Sequence, residues 1–377
     1  MQLIRAIALL ALLVPAAANA AVLPEDRADL MYHYYDGGGI TIDGPSLLVR
    51  KKFAEKYAVS ANYYVDMVSS ASIDVVTTAS PYKEERTQFG VGFEYLRGKV
   101  TYAASFSNSS ENDYNADTAN LSISQDMFGD LTTVSLFFAR GWDDVTRRGD
   151  EVFADEIDRR IYGVDVSQIA TRNLILGLSF ETITEEGFLN NPYRQVRFVD
   201  PDAALGYAYE PERYPRTRTG NALSLRGRWY LPYRAALEGD YRFYTDTWEI
   251  RAHTADVSYT HPLDEEWTFD VHYRFYTQNA AEFYSDLFPR EDFQNFLARD
   301  KELASMQSHT LGFGVAYEFK PGRIGFLGKA ALNLRYDRIR FDYDDFRDLR
   351  VTGVAPGTEP LYTFDADVIR FFFSGWF

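Results

Sequence analysis

The sequence contains no cysteine among its 377 residues, which removes disulfide frameworks, thiolate metal sites and thiol nucleophiles from consideration. Long apolar runs are missing too. Beyond the N-terminal stretch, nothing approaches the roughly 20 consecutive apolar residues that a membrane-spanning helix needs. Excess positive charge is also absent. The formal net charge is -16, and so acidic a chain is repelled by a nucleic-acid backbone, which excludes nucleic acid as a partner. There are five histidines, His33, His253, His261, His272 and His309. They form no H-E-x-x-H pair, and no G-x-S-x-G elbow occurs. The residues therefore predict a protein that is not an enzyme, with no catalytic residue, no cofactor and no metal-ligand set.

What is present begins with "MQLIRAIALLALLVPAAANA". One charge, Arg5, precedes a short apolar run and a small-x-small ending, the pattern of a secretory signal peptide cleaved after Ala20. Aromatic residues are 16% of the chain, with 27 Tyr and 28 Phe. That usage suits a protein whose surface meets a bilayer.

The residue pattern has period two almost throughout. In "YAVSANYYVDMV", Val59, Ala61, Tyr63, Val65 and Met67 share one side, and Ser60, Asn62, Tyr64 and Asp66 the other. Alternation repeated over many such segments reads as half-buried strands. No period of 40–50 residues marks a propeller. The side opposite the apolar one is too poor in Lys and too rich in Gly, Ser and Tyr for a soluble surface. Connections alternate between short ones (54–56, 97–99, 128–131, 170–172, 232–233, 261–266, 321–323) and long ones. The long ones run over 37–45, 69–86, 109–118, 143–158, 185–218, 279–307 and 342–361, and 245–249 is short where a long loop is due. This is the rhythm of an outer-membrane barrel, with tight periplasmic turns and longer extracellular loops. The fold expected is an all-β, transmembrane antiparallel β-barrel of about sixteen strands, with fourteen to eighteen compatible. Residues 1–20 are the signal peptide, 21–28 a periplasmic N-terminal segment and 29–377 the barrel. The location is the outer membrane of a Gram-negative bacterium, with both termini periplasmic.

The last strand, "DADVIRFFFSGWF", sets Phe377, Gly375, Phe373, Phe371 and Ile369 on one side and Trp376, Ser374, Phe372, Arg370 and Val368 on the other. Phe377 and Phe373 fit a terminal assembly signal for outer-membrane proteins. Tyr and Trp favour the membrane interfaces. Tyr95, Trp229, Tyr233, Trp267, Tyr317 and Trp376 are expected in the periplasmic girdle, and Trp142, Tyr244, Trp248 and Tyr276 at the opposite ends.

Two segments echo each other, "GDYRFYTDTWEI" and "VHYRFYTQNAAEFYSD". If Tyr241 and Phe243 face lipid, Asp240, Arg242 and Tyr244 face the lumen, as do Asp270, His272, Arg274, Tyr276 and Gln278, with Asp256 between them. The expected cluster pairs its arginines with its own acids and leaves a surplus of acid, hence a preference for cations. A structural network of paired charges is the competing reading. Asn191, Tyr193 and Arg194, in "NNPYRQV", open the longest loop and are candidates for a constriction. The acidic segments 143–158 and 342–350 read as solvated faces, since neither has the spacing of a twelve-residue calcium loop.

The segments N-P-Y-R (191–194), Y-R-F-Y-T-D-T-W (241–248), A-H-T (252–254) and Y-R-F-Y-T-Q-N-A-A-E-F-Y (273–284) resemble an uncharacterised Gram-negative outer-membrane β-barrel family, domain-of-unknown-function family three-five-seven-zero. "ARDKELASM" (298–306) departs from the more regular D-K-R-L-S run of that family. The resemblance implies an outer-membrane location and supplies no mechanism. It also implies an envelope redox setting, with a small envelope lipoprotein as a partner. The partners expected otherwise are outer-membrane lipids, lipopolysaccharide and the outer-membrane assembly machinery. The function expected is a passive pore or binding barrel for a small polar or ionic solute. The alternatives are a scaffold for envelope partners and, least favoured, an outer-membrane hydrolase.

Overall fold

A computed structural model describes residues 22–70, 82–320, 324 and 327–377. The signal-peptide reading (1–20), most of the 69–86 connection and the 321–323 turn fall outside these residues. In chain order the strands are β1 (Arg27–Gly37), β2 (Ile40–Phe53), β3 (Tyr57–Ser70), β4 (Tyr82–Arg97), β5 (Val100–Ser110), β6 (Tyr114–Met127), β7 (Thr132–Arg147), β8 (Asp150–Thr171), β9 (Leu174–Gly187), β10 (Gln195–Val199), β11 (Tyr207–Pro211), β12 (Thr217–Tyr230), β13 (Ala236–Asp246), β14 (Arg251–Pro262), β15 (Trp267–Gln278), β16 (Met306–Phe319), β17 (Lys329–Arg347) and β18 (Leu361–Trp376). All but β10 and β11 pair antiparallel with their neighbours, and β18 pairs with β1 to close a sixteen-strand barrel. Closure leaves no unpaired edge strand in the barrel, so its strands bond to a neighbour on both sides, with register breaks at only a few strand positions.

The alternation read from the sequence is the alternation of the wall. Val59, Tyr63, Phe89, Val91, Phe93, Leu121, Leu176, Leu178, Tyr241, Val257, Val271, Tyr273 and Phe313 are exposed on the outside. Their strand neighbours, such as Ser60, Asn62 and Ser122, line the interior. An apolar exterior round a polar interior is the inverse of a soluble barrel and marks a membrane-type barrel. The first strand starts at Arg27, two residues before the expected boundary.

Three connections expected to be long are short. β1 turns into β2 through Gly38–Gly39 alone, both with positive φ (59° and 79°), the geometry a two-residue hairpin turn requires. Residues 111–113 and 148–149 are the whole of two others. The segments read as loops are paired strand ends, for example Asp144↔Glu156 and Asp158↔Glu186. Beyond the apolar band a strand is wet on both faces, so apolar alternation stops while pairing continues.

The aromatic positions also need correction. Tyr95, Trp229, Tyr233 and Trp267 belong to the outward girdle beside the short turns, but Trp376 lines the interior. Of the opposite set only Trp142 is outward. Tyr244 and Tyr276 point inward, and Trp248 is buried in an apolar core. Parity along each strand, not nearness to a turn, decides which rings reach the membrane.

That core lies at the end away from the short turns, which we call the cap end. Residues 188–216, 279–305 and 348–360 fold together there, with β10 and β11 pairing as a hairpin within the first. Leu189, Tyr214, Trp248, Phe283 and Leu303 pack on the inward residues Val145 and Ile157 of β7 and β8. Met306, Phe341, Tyr343, Phe346 and Tyr362 form a second cluster on β16, β17 and β18, and Val196, Phe198, Phe288 and Leu297 a third within the cap. Backbone bonds join the first two cap segments: Phe288 N–H donates to Arg197 O (2.9 Å), and Leu297 N–H to Arg213 O (2.7 Å).

Candidate functional site

The interior holds a cavity of about 1910 Å³. Its lining reaches from Arg27, Arg50, Glu94 and Ser374 at the turn end to Asn112, Arg148 and Tyr193 at the cap end. Its two walls differ. On β3 to β6 the lining includes the small neutral residues Ser60, Asn62, Gly90, Gly92, Ser105, Ser107, Asn120 and Ser122, together with the charged Asp66, Lys83, Glu84, Arg86 and Glu94. The facing wall, on β14 to β18, carries Asp256, Asp270, His272, Arg274, Arg335, Asp337 and Arg370.

The charged wall is built from pairs. Arg274 Nε donates to Asp256 (3.2 Å), its neighbour in register across β14 and β15. Arg335 reaches Asp270 (2.6 Å), and His272 Nε2 lies 3.4 Å from Asp337, which also pairs with Arg370. These last bonds leap a strand: Asp270 and His272 are on β15, whereas Arg335 and Asp337 are on β17. The strand between makes this possible. Gly314 lies opposite both Asp270 and Arg335, and Gly312 opposite both His272 and Asp337. A Cβ at either glycine would collide with the acid or imidazole reaching over it.

The nine residues expected to converge do share the inner face, but as three groups. Asp256, Asp270, His272 and Arg274 line the cavity. Asp240 is opposite Asp256 in register, yet its ion pair is with Arg226 on β12 (3.4 Å). Arg242 does not bond the cluster's acids and instead reaches Glu181 on β9 (3.4 Å). Tyr244, Tyr276 and Gln278 buttress the cap. The Tyr244 hydroxyl donates to Asp246 (3.0 Å), which holds Arg218 (2.6 Å), and the Arg218 guanidinium stacks 4.5 Å from the Trp248 ring. Gln278 Nε2 donates to the carbonyls of Glu302 (3.0 Å) and Ala304 (2.8 Å), while the Tyr276 hydroxyl donates to Gln278. The expected surplus of acid is not found at the cavity: among the described lining residues, basic and acidic side chains are equal in number.

Asn191, Tyr193 and Arg194 line the cavity at its cap end. An Asx turn shapes the segment, with Tyr193 N–H donating to Asn191 Oδ1 (2.9 Å). Arg148 N–H, at the β7–β8 tip, donates to the Tyr193 hydroxyl (2.7 Å), and Arg194 pairs with Asp300 of the second cap segment. The segment is thus a strap tied to the β7–β8 tip at Tyr193 and to the second cap segment at Arg194.

Two groups were not legible in the sequence. One is on the inner wall, where His33 Nε2 meets Asp66 (2.8 Å) and the His33 ring stacks on Tyr64 at 4.9 Å, with Arg86 3.8 Å from Asp66. The other ties the cap. Arg197, fully buried, donates to Glu359 (2.6 Å) and pairs with Asp286, which also holds Arg299 (2.9 Å). Three segments far apart in sequence thereby share one ionic knot. Beside it, burial pushes the Glu212 carboxyl up to about 7, and repulsion from Asp300 adds to the rise. Burial, then the Glu212 charge, raises the Tyr214 hydroxyl as well.

The model of the family described as "Protein of unknown function (DUF3570)" matches residues 73–337. No curated protein matches the sequence. Similar solved structures include one titled "Bacterial polysaccharide outer membrane secretin", at 10% identity over 94% of this chain and 100% of that one, TM-score 0.49. A Pseudomonas aeruginosa FadL homologue matches at 10% identity over 96% and 94%, TM-score 0.46. A TodX monoaromatic hydrocarbon channel mutant matches at 11% over 95% and 91%, TM-score 0.43.

Proposed function

The chain belongs to the DUF3570 family of proteins of unknown function, and from that premise we propose that it is an outer-membrane barrel offering a passive path or binding cavity to a small polar or ionic solute. The observation that carries this reading is the cavity of about 1910 Å³ whose lining residues come from both ends of the barrel. Its charges are matched in number and paired on both walls, Asp256–Arg274 and Asp270–Arg335 on one and Asp66–Arg86 on the other, so the path suits dipolar or weakly selected solutes better than one ion sign. In this reading the turns and both termini are periplasmic and the cap is extracellular. Membrane lipids and lipopolysaccharide cover the outward face, and the assembly machinery takes up the closing strand through Phe373 and Phe377. A small envelope lipoprotein is a further partner on the family resemblance. Catalysis is not part of the reading: two histidines are held by Asp and three by Tyr, and no nucleophile or metal-ligand motif accompanies them in the sequence.

The cap's exposed Leu205, Phe293, Phe296 and Val354 support a second reading, a scaffold that docks another envelope protein. Reconstitution into a planar bilayer separates the two. A steady single-channel conductance with a cation-to-anion permeability ratio near unity is expected of the path. A barrel that stays electrically silent even when the cap is trimmed would leave the scaffold.

A further inference from the structure

The five histidines fall into two classes. His33 and His272 face the interior and meet Asp66 and Asp337 through Nε2. The other three face outward, and each meets a tyrosine hydroxyl through Nδ1: Tyr241–His253 at 2.6 Å, Tyr273–His309 at 2.7 Å and Tyr259–His261 at 2.9 Å. The first two are copies of one module. In each, Tyr-Arg-Phe-Tyr-Thr lies on one strand and His-Thr on the next. The His253 ring sits 5.1 Å from Phe243 at 44°, and the His309 ring 5.1 Å from Phe275 at 43°. Registers match as well, Phe243↔His253 and Phe275↔His309.

With the tyrosine hydroxyls assigned as hydrogen-bond donors to Nδ1, the rings' own protons are on Nε2. The Nε2–H groups of His253 and His309 are therefore donors on the outer surface, and no hydrogen bond within the described chain uses them. Their depth follows from β14, which carries His261 near the turn end and His253 eight residues away. At about 3.3 Å per residue and a tilt of about 40°, that spacing is roughly 20 Å along the barrel axis. The twin donors thus lie near the cap-side edge of an apolar band about 25 Å tall. A donor there cannot be satisfied by hydrocarbon and needs a headgroup oxygen. On the side away from its phenylalanine each histidine has a polar cross-strand neighbour, Thr277 opposite His253 and Arg340 opposite His309. The acids facing Arg340 are Asp342 (3.0 Å) and Asp365 (3.6 Å).

We propose that the twin Tyr–His–Phe modules form a binding site for the phosphate groups of a membrane lipid in the cap-side leaflet. The proposal rests on the outer-membrane reading above, under which that lipid is the phosphorylated glycolipid of the outer leaflet. Two imidazole donors, held by Tyr241 and Tyr273, present Nε2–H to phosphate oxygens, beside an Arg340 guanidinium whose charge Asp342 and Asp365 already balance.

The test uses the full chain inserted into phosphatidylcholine vesicles doped with bisphosphoryl lipid A, with its dephosphorylated form, or with phosphatidylglycerol. Lipid retained through purification is then measured by mass spectrometry. Bisphosphoryl lipid A should be retained in preference to the dephosphorylated form. The double variant His253→Phe/His309→Phe keeps the ring packing and should lose about tenfold in retention, the worth of roughly one net hydrogen bond. Tyr241→Phe/Tyr273→Phe, which frees the imidazoles to turn, should fall between, and His261→Phe should match the wild type. Equal retention of the dephosphorylated lipid, an unaffected double variant, or an equal loss in His261→Phe would each overturn the site. Preference for phosphatidylglycerol over lipid A would keep the phosphate chemistry and overturn its assignment to the outer leaflet. A chain that does not enter vesicles at all would overturn the membrane reading itself, a result visible before any lipid is counted.

Discussion

At the residue scale, small side chains decide which charges can meet. Gly314 lets Asp270 reach Arg335 over an intervening strand. Gly314→Ala should displace that carboxylate and leave Arg335 uncompensated at the cavity wall, moving the permeability ratio toward anions in single-channel recordings. Arg274→Ala removes the opposite sign from the same wall and should move it toward cations. In the cap, Arg197 is sealed between Asp286 and Glu359. Removing one partner of a buried ion pair typically costs about 3–5 kcal/mol. Arg197→Met should therefore lower the cap's opening free energy by about that amount, read by hydrogen exchange at Leu297 and Phe288, whose amides bond across cap segments. Glu212 gives a pH dependence of known sign. Its folded-state value of about 7 lies above the ordinary 4.5, so the folded cap holds the proton more tightly than the open one. Cap stability should be greatest below pH 4.5, fall as pH rises to about 7, and level off above. Glu212→Gln should flatten that profile in the same exchange measurement.

At the scale of the element, strands and their facing were written locally, and the expected sixteen-strand all-β barrel is the barrel found. Period two fixes which side chains look out, and an error of one residue would have inverted every face. The outward side of β18 shows this: Ile369 and Phe371 are exposed, with the half-buried Phe373 on their side by alternation, while Arg370, Phe372 and Ser374 line the cavity. β18 pairs with both β17 and β1, so it carries barrel closure. Phe373→Asp places a charge on the lipid face, at a cost of a few kcal/mol that depends on depth. It should reduce the heat-modifiable folded form on gels, whereas Ser374→Asp, on the inner face of the same strand, should leave it intact. Strand ends were legible less well. Over 143–158 the acidic residues read as a loop, and they lie instead on paired strands that project beyond the apolar band. Periodicity reports burial, and those ends have water on both sides.

For the whole molecule, the cap packs over the cap-side ends of β7, β8, β17 and β18, and the cavity runs between the β1 to β6 wall and the β14 to β18 wall beneath it. The β10–β11 hairpin is held by the Arg197 knot and by Phe198 against Phe288. Replacing residues 197–209 with a short Gly-Ser linker should loosen all three cap segments together and raise conductance in planar bilayers, since the hairpin shares partners with the other two. Unchanged conductance would place the narrowest point below the cap, among the ion pairs of the charged wall.

The sequence by itself determined that the chain makes alternating strands, which residues face lipid, and that the wall at Asp256, Asp270, His272 and Arg274 is charged and inward. Each of these depends on neighbours within one strand or one hairpin. Only the tertiary structure decided the partners. Arg242 pairs with Glu181 rather than with Asp240 or Asp256, and Asp270 with Arg335, because charge pairing follows strand adjacency and the room left by glycine and other small residues. It alone also decided the cap, whose ionic knot joins residues 197, 286 and 359. No local pattern announces that knot, since its stability comes from excluding water at a junction of three distant segments.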